Sequence, residues 1–73
     1  MDEKEKNMEK SFWLKCHCVT SATLQEELWR FYVDGHFSAL EMVEWLIDGG
    51  RYCSIVAMNG DTGEFITSWE RED

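Results

Sequence analysis

The chain has 73 residues, of which 44% are hydrophobic and 14% aromatic, with four tryptophans and no proline. This share of apolar side chains is too high for a disordered protein and fits one small domain, which buries only about 60% of its unfolded surface and benefits from a second copy. The formal charge of -8, from 15 acidic and 7 basic residues, argues against a nucleic-acid-binding or basic membrane-surface module, because both contact phosphate through Lys and Arg.

Residues 1–10 contain seven charged and only two apolar side chains. Such a segment cannot offset the entropy of ordering, so we expect a disordered charged tail before a single domain at residues 11–73. The tail lacks the apolar core of a signal peptide, and no apolar run reaches the roughly 18 residues of a membrane span. The odd number of cysteines, three, favours free thiols, and we expect a cytoplasmic protein.

The first predicted strand begins at Phe12 and ends near Thr20. Its side chains alternate between two faces of a pleated strand, as is typical of a half-buried element. One predicted face carries Phe12, Leu14, Cys16 and Cys18, and the other carries Trp13, Lys15, His17 and Val19.

Residues 24–33 allow two interpretations. Residues 28–33 read Leu-Trp-Arg-Phe-Tyr-Val, and aromatic and β-branched residues of this kind favour a strand. The same stretch also fits a helix that is capped at Thr23, with Glu26 three positions later. We favour the strand and keep the helix as the alternative.

A helix is predicted after the turn residues Asp34 and Gly35. Ser38 and Glu41 have the spacing of a capping box, and Phe37 precedes them at the position of a hydrophobic staple. We expect the helix to end at Gly49 and Gly50. Its predicted apolar side consists of Ala39, Leu40, Met42, Val43, Leu46 and Ile47.

The remaining residues predict a β-hairpin. Residues 51–58 read as a third strand, residues 59–63 as the hairpin loop and residues 64–69 as a fourth strand. The element order is therefore ββαββ. It predicts an α+β domain in which one helix packs on one face of a small four-stranded antiparallel sheet.

The segment Lys15-Cys-His-Cys18 contains ligand types that zinc prefers. On a strand, however, Cys16 and Cys18 point away from His17, and a complete site would need Cys53 and His36 to converge on them. An adjacent Cys and His on a strand are also poorly placed to share a catalytic proton. We therefore expect no metal, no cofactor and no enzymatic activity.

The acidic residues of the predicted helix are more informative. Glu41, Glu44 and Asp48 lie within an arc of about 60° and have no Lys or Arg four residues later to pair with. Trp45 lies at the edge of this arc, where an aromatic side chain beside charges is typical of a protein interface. Other carboxylates that extend the predicted binding surface are Asp34, Asp61 and Glu64.

The four tryptophans cannot all be buried beneath a single helix. The uncovered sheet face is therefore expected to carry an apolar patch that meets another chain. We predict a homodimer, since a small domain also benefits from shared burial.

Residues 31–46, a strand that leads into an acidic helix, are followed by a further strand at residues 51–58. In size, charge and element order this layout resembles small acidic host-takeover proteins of bacteriophages, including inhibitors that mimic DNA. Such proteins block uracil-DNA glycosylase, bacterial RNA polymerase or the nucleoid protein HU. The resemblance covers about 40 residues. It implies a protein that acts in the cytoplasm or nucleoid of a host bacterium.

Taken together, these features predict a non-enzymatic inhibitor that mimics DNA and occupies the nucleic-acid site of a basic DNA-binding host protein, such as HU. The chain itself is expected to bind neither nucleic acid nor membrane. Two alternatives remain. One is a phage inhibitor that binds host RNA polymerase, and the other is a plain dimeric interaction domain whose acidity serves only solubility.

Overall fold

The computed structural model describes residues 11–72, which form four strands and one helix. In chain order these elements are β1 (Phe12–Thr20), β2 (Glu26–Val33), α1 (His36–Asp48), β3 (Tyr52–Asn59) and β4 (Phe65–Glu70). The predicted α+β class and ββαββ order are confirmed. The predicted disordered tail at residues 1–10 and the last residue of the predicted domain lie outside the described residues. No helix within residues 11–72 has the length and apolarity needed to cross a bilayer.

The four strands form one antiparallel sheet in the order β2-β1-β3-β4. β1 is central and pairs with both β2 and β3, so β2 and β3 run parallel to each other. α1 joins them as a crossover connection, which places the helix on one face of the sheet. β4 pairs with β3 and forms one edge, while β2 forms the other.

Residues 24–33 contain a strand, and the helical alternative is wrong. β2 pairs with β1 along its whole length, with Leu14 opposite Phe31 and Cys16 opposite Trp29. Leu24, which a helix would place on its apolar face, instead has a φ of 58° and a side chain that is 71% exposed. Its N–H donates to the carbonyl of Thr20 at 2.9 Å, within the turn that joins the two strands.

The core lies between α1 and one sheet face. The predicted inward face of β1 is confirmed, because Leu14, Cys16 and Cys18 are all buried. The predicted apolar side of the helix is confirmed as well, since Ala39, Val43 and Leu46 are buried and the other three residues of that side are half-buried. The complete set of buried apolar residues is Leu14, Cys16, Cys18, Val33, Ala39, Val43, Leu46, Tyr52, Ile55 and Ala57.

The predicted capping box and hydrophobic staple do not form. The helix begins at His36 after Gly35, whose φ of 105° lets the chain reverse within a two-residue connection, and no side chain of residues 11–72 caps it. Ser38 therefore lies inside the first turn, where its hydroxyl donates back to the carbonyl of Asp34 at 3.4 Å. Phe37 is 72% exposed and cannot act as a staple.

The predicted end of the helix is confirmed. Gly50 has a φ of 73°, and its N–H donates to the carbonyl of Ile47 at 3.0 Å. The predicted hairpin between β3 and β4 is confirmed too. The side-chain oxygen of Asn59 accepts hydrogen bonds from the backbone N–H groups of Asp61 at 2.7 Å and Thr62 at 3.1 Å, which fixes the loop.

The helix start leads to a prediction about stability. Ser38→Ala should change the free energy of unfolding by less than about 0.5 kcal/mol, because Ser38 supplies no cap. Ala39→Leu, one residue later, should cost about 1–3 kcal/mol, because Ala39 is fully buried and the larger side chain overpacks the core. Urea unfolding of both variants tests this contrast. A loss of about 1 kcal/mol in Ser38→Ala would restore the capping role.

Candidate functional site

The outer side of α1 carries three exposed carboxylates. Glu41, Glu44 and Asp48 are all exposed, and their spacing places them on one side of the helix. Within residues 11–72 the one ion pair joins Arg51 to Glu27, so none of these three carboxylates is paired with a described basic side chain. Their field is therefore directed to the solvent.

Two aromatic side chains accompany these carboxylates. Trp45 is 61% exposed at one edge of the acidic arc. Phe37 is 72% exposed, and at 100° per residue it falls inside the arc, between Glu44 and Asp48. We call Phe37, Glu41, Glu44, Trp45 and Asp48 the acidic helix face. Phe37 was not predicted to belong to this face, because its position before the expected capping box suggested a hydrophobic staple. The spacing of residues 37, 41, 44 and 48 nevertheless places Phe37 on this side of the helix.

The structure does not add the other three predicted carboxylates to this face. Asp34 lies in the turn before α1 and accepts a hydrogen bond from the hydroxyl of Ser11 at 2.9 Å. Asp61 lies in the β3–β4 loop and accepts one from the N–H of Trp13 at 3.4 Å. Glu64 is exposed at the end of that same loop. These residues lie in turns at the end of the sheet where β1 begins.

A cavity of about 430 Å³ opens at the opposite end, beside the C-terminus of α1. We call it the aromatic pocket. Two predicted site residues, Trp45 and Asp48, lie on its wall, so the acidic helix face continues directly into it. The residues that line the pocket are Trp29, Trp45, Leu46, Asp48, Gly49, Arg51 and Tyr52.

A hydrogen-bond network holds the floor of the pocket. The indole N–H of Trp29 donates to the hydroxyl of Tyr52 at 2.6 Å, and this hydroxyl donates to Glu27 at 2.6 Å. Arg51 donates to the other oxygen of Glu27 at 2.7 Å. The hydrogen bond from Tyr52 and then the one from Arg51 lower the pKa of the Glu27 carboxyl. Burial, followed by the bond to Glu27, raises the pKa of Tyr52.

The aromatic rings around the pocket support one another. Trp29 stacks on Phe31 with their centroids 5.7 Å apart and their planes 5° from parallel. Phe31 meets the ring of Trp45 edge-on at 6.5 Å. Phe31 therefore links a sheet tryptophan to the helix tryptophan, in geometries that aromatic pairs prefer. The sequence alone could not indicate this pocket, because its residues come from β2, α1, β3 and the connection between α1 and β3.

The thiols that resembled zinc ligands lie in the core. Cys16 and Cys18 are buried on the helix side of the sheet, while His17 is exposed on the other side. Burial raises the pKa of Cys16 to about 12 and that of Cys18 to about 11, so both remain protonated near neutral pH. Within residues 11–72 no three potential metal ligands come together.

Comparison with known proteins adds no relative: no protein-family model, curated protein or solved structure matches this chain.

The Glu27 network predicts a pH-dependent contribution to stability. Since the pKa of Glu27 is lowered on folding, its carboxylate stabilises the fold fully above the usual pKa of about 4.3, and this contribution disappears as the pH falls through the lowered value. Glu27→Gln should therefore lower the melting temperature at pH 7, and the difference from the parent chain should shrink as the pH is lowered from about 4 towards 2. Thermal unfolding across this range measures the difference. A gap that persists unchanged at pH 2 would assign the loss to packing.

Buried thiols predict selective labelling. In the folded chain at pH 8, a disulfide reagent should leave Cys16 and Cys18 unmodified on the timescale in which it reacts with half-buried Cys53. All three thiols should react in denaturant. Cys53→Ser should remove the fast reaction and serves as the control. Rapid labelling of all three thiols without denaturant would contradict the buried placement.

Proposed function

We propose that this chain is a non-enzymatic inhibitor that binds the nucleic-acid site of a basic DNA-binding protein, with the carboxylates of the acidic helix face in place of phosphates. The observation that carries the proposal is the exposed row Glu41, Glu44 and Asp48, which has no basic partner among the described residues. A groove built to bind phosphates attracts such a row by the same electrostatic field.

The position of these charges along the helix supports a role outside the fold. Acidic residues stabilise a helix near its N-terminus and destabilise it near its C-terminus. In α1 the first turn has no acidic residue, the last turn has no basic one, and Asp48 is the final residue. Asp48 therefore lies where its charge does not stabilise the helix, which supports a role in binding.

The spacing of the carboxylates suits a short stretch of one DNA strand. Along the helix axis Glu41, Glu44 and Asp48 follow one another at about 4.5 and 6 Å, from a rise of 1.5 Å per residue. Phosphates of one strand advance by about 3.4 Å each. The helix therefore imitates a few phosphates at lower density. Phe37 and Trp45 supply the apolar contacts that separate one target from other basic proteins.

The resemblance to phage host-takeover proteins directs the search for a target to bacterial nucleic-acid-binding proteins, with the nucleoid protein HU as the first candidate. HU also provides a direct assay, because displacement of duplex DNA from it can be measured at several salt concentrations. Binding through the acidic helix face should weaken strongly as salt rises.

Charge reversal on the helix tests the proposal. Glu44→Lys with Asp48→Lys should reduce DNA displacement from the target by at least about tenfold and flatten its salt dependence, because the row loses two of its three carboxylates. Folding should persist, since a Lys at the end of α1 is favourable for the helix. The readout is competition with labelled duplex DNA.

The matched control is Glu70→Lys with Glu72→Lys, which changes the net charge equally at exposed positions away from α1. This control should retain most of the displacement activity. If both double variants lose activity to the same extent, only the total charge matters. If neither loses it, the helix row is a solvated surface and the chain is better described as an ordinary interaction domain.

A further inference from the structure

We propose that the aromatic pocket binds an arginine side chain of the basic partner. This inference rests on the proposed function, because it names the group of the partner that enters the site. The pocket has a size typical of small-ligand sites, about 430 Å³, and lies at the end of the acidic helix face. A side chain that reaches past Asp48 from a protein bound along α1 would enter it.

The pocket can bind a cation through the ring faces that the chain leaves uncovered. Phe31 already stacks on one face of Trp29, and the guanidinium of Arg51 lies over the Tyr52 ring at 5.9 Å. The hydroxyl of Tyr52 and the indole N–H of Trp29 are already engaged with each other, and the hydroxyl also bonds Glu27. The polar atoms of these rings are therefore satisfied within the chain. What remains for a ligand is the face of Trp29 that points away from Phe31 and the ring of exposed Trp45, and such π-faces attract cations.

The charges around the pocket favour a cation as well. Arg51, which also lines the pocket, is paired with Glu27 at 2.7 Å, whereas Asp48 has no partner among the described basic side chains. Leu46 and Gly49 at the end of α1 also line it, and the carbonyl groups at a helix C-terminus carry partial negative charge. Asp48, the helix end and the indole faces thus attract the same kind of ligand.

Arginine fits these features better than lysine. A planar guanidinium can stack on an indole and donate two parallel hydrogen bonds to a carboxylate such as Asp48. It is also more weakly hydrated than an ammonium group, so it enters an apolar pocket at lower cost.

The test is an NMR titration of the full chain with N-acetylarginine amide, which carries the side chain without a partner protein. The matched probe is N-acetylcitrulline amide, a neutral side chain of nearly the same shape. Arginine should shift the indole signals of Trp29 and Trp45 with a millimolar Kd and leave Trp13 unchanged, since Trp13 lies on the opposite sheet face. Citrulline should produce little change, and N-acetyllysine amide should bind more weakly than arginine.

Two variants and one control locate the site. Asp48→Asn and Trp45→Leu should each weaken arginine binding by about tenfold. Glu72→Gln removes one exposed carboxylate elsewhere and should not change it. Three results would contradict arginine binding in this pocket. They are an equal response to citrulline, signal shifts that include Trp13, and equal effects of Asp48→Asn and Glu72→Gln on arginine binding. If the chain still displaces DNA after such a result, the pocket fails and the proposed function stands.

A second surface carries an independent inference. The sheet face opposite α1, which we call the open sheet face, presents Trp13 at 42% exposure and Tyr32 at 64%, with their rings 5.2 Å apart. Next to them Lys15 and Arg30 lie directly opposite each other on paired strands. Like charges in this arrangement repel, and the described residues include no acid paired with either. The arrangement therefore favours an anionic group from another chain.

The order of residues along β2 identifies a second copy of this chain as the source of that group. Arg30, Leu28 and Glu26 alternate along β2 on the open sheet face, with the exposed Leu28 midway between opposite charges. A two-fold axis that runs across the strands at Leu28 would place each Arg30 opposite Glu26 of the other copy. The same rotation pairs the two Leu28 side chains. We infer a symmetric dimer through this face.

Sedimentation of the full chain tests the dimer, with a mass above the 8.6 kDa monomer expected at micromolar concentration. Arg30→Glu or Glu26→Arg alone should weaken dimerisation by about tenfold or more, because each places like charges together. The charge swap that combines both changes should restore it. A chain that remains monomeric at several hundred micromolar, single variants that dimerise normally, or a swap no better than either single variant would overturn this interface.

Discussion

One 13-residue helix has to cover one face of a four-stranded sheet, and it is smaller than that face. This difference in area determines which surfaces of the molecule remain available for binding. β1 is central and fully paired, so the chain can pass from β2 to β3 only by crossing the sheet. The crossing buries Ala39, Val43 and Leu46 against the middle of the sheet. It leaves the aromatic pocket open at the end of the helix, and no element of residues 11–72 covers the other sheet face.

The distribution of charge follows the same division. On the helix side, the acidic residues Glu41, Glu44 and Asp48 are exposed and unpaired among the described residues. The open sheet face carries Lys15 and Arg30, which are two of the four basic residues that follow the charged N-terminal segment. The open sheet face also carries Glu26, so its charges are mixed, whereas the charged residues of the acidic helix face are all negative. This difference is why a basic partner is proposed for the helix side, and a second copy of this chain, paired through opposite charges, for the open sheet face.

Local patterns predicted the strands and the helix, because each depends on neighbouring residues. The alternation of Leu14, Cys16 and Cys18 and the glycine end of the helix were both read correctly. The helix start was not, because Gly35 reverses the chain two residues before the expected cap at Ser38. The four predicted residues of the acidic helix face do share one side, whereas the turn carboxylates were grouped with them only by charge. The pocket depends on contacts such as Tyr52 with Glu27, 25 residues apart, which no local pattern encodes.

The geometry of the proposed dimer constrains how the proposed inhibitor would act. α1 and the open sheet face lie on opposite sides of the sheet, so a dimer through the open face keeps both acidic helix faces on its outer surfaces. The two-fold axis across the strands also makes the two helices run in opposite directions. The two rows of carboxylates then cannot join into one longer array. Two packed sheets, whose planes are about 10 Å apart, lie between them. In the proposed dimer each protomer would therefore recognise its target alone, and one dimer would bind two target sites.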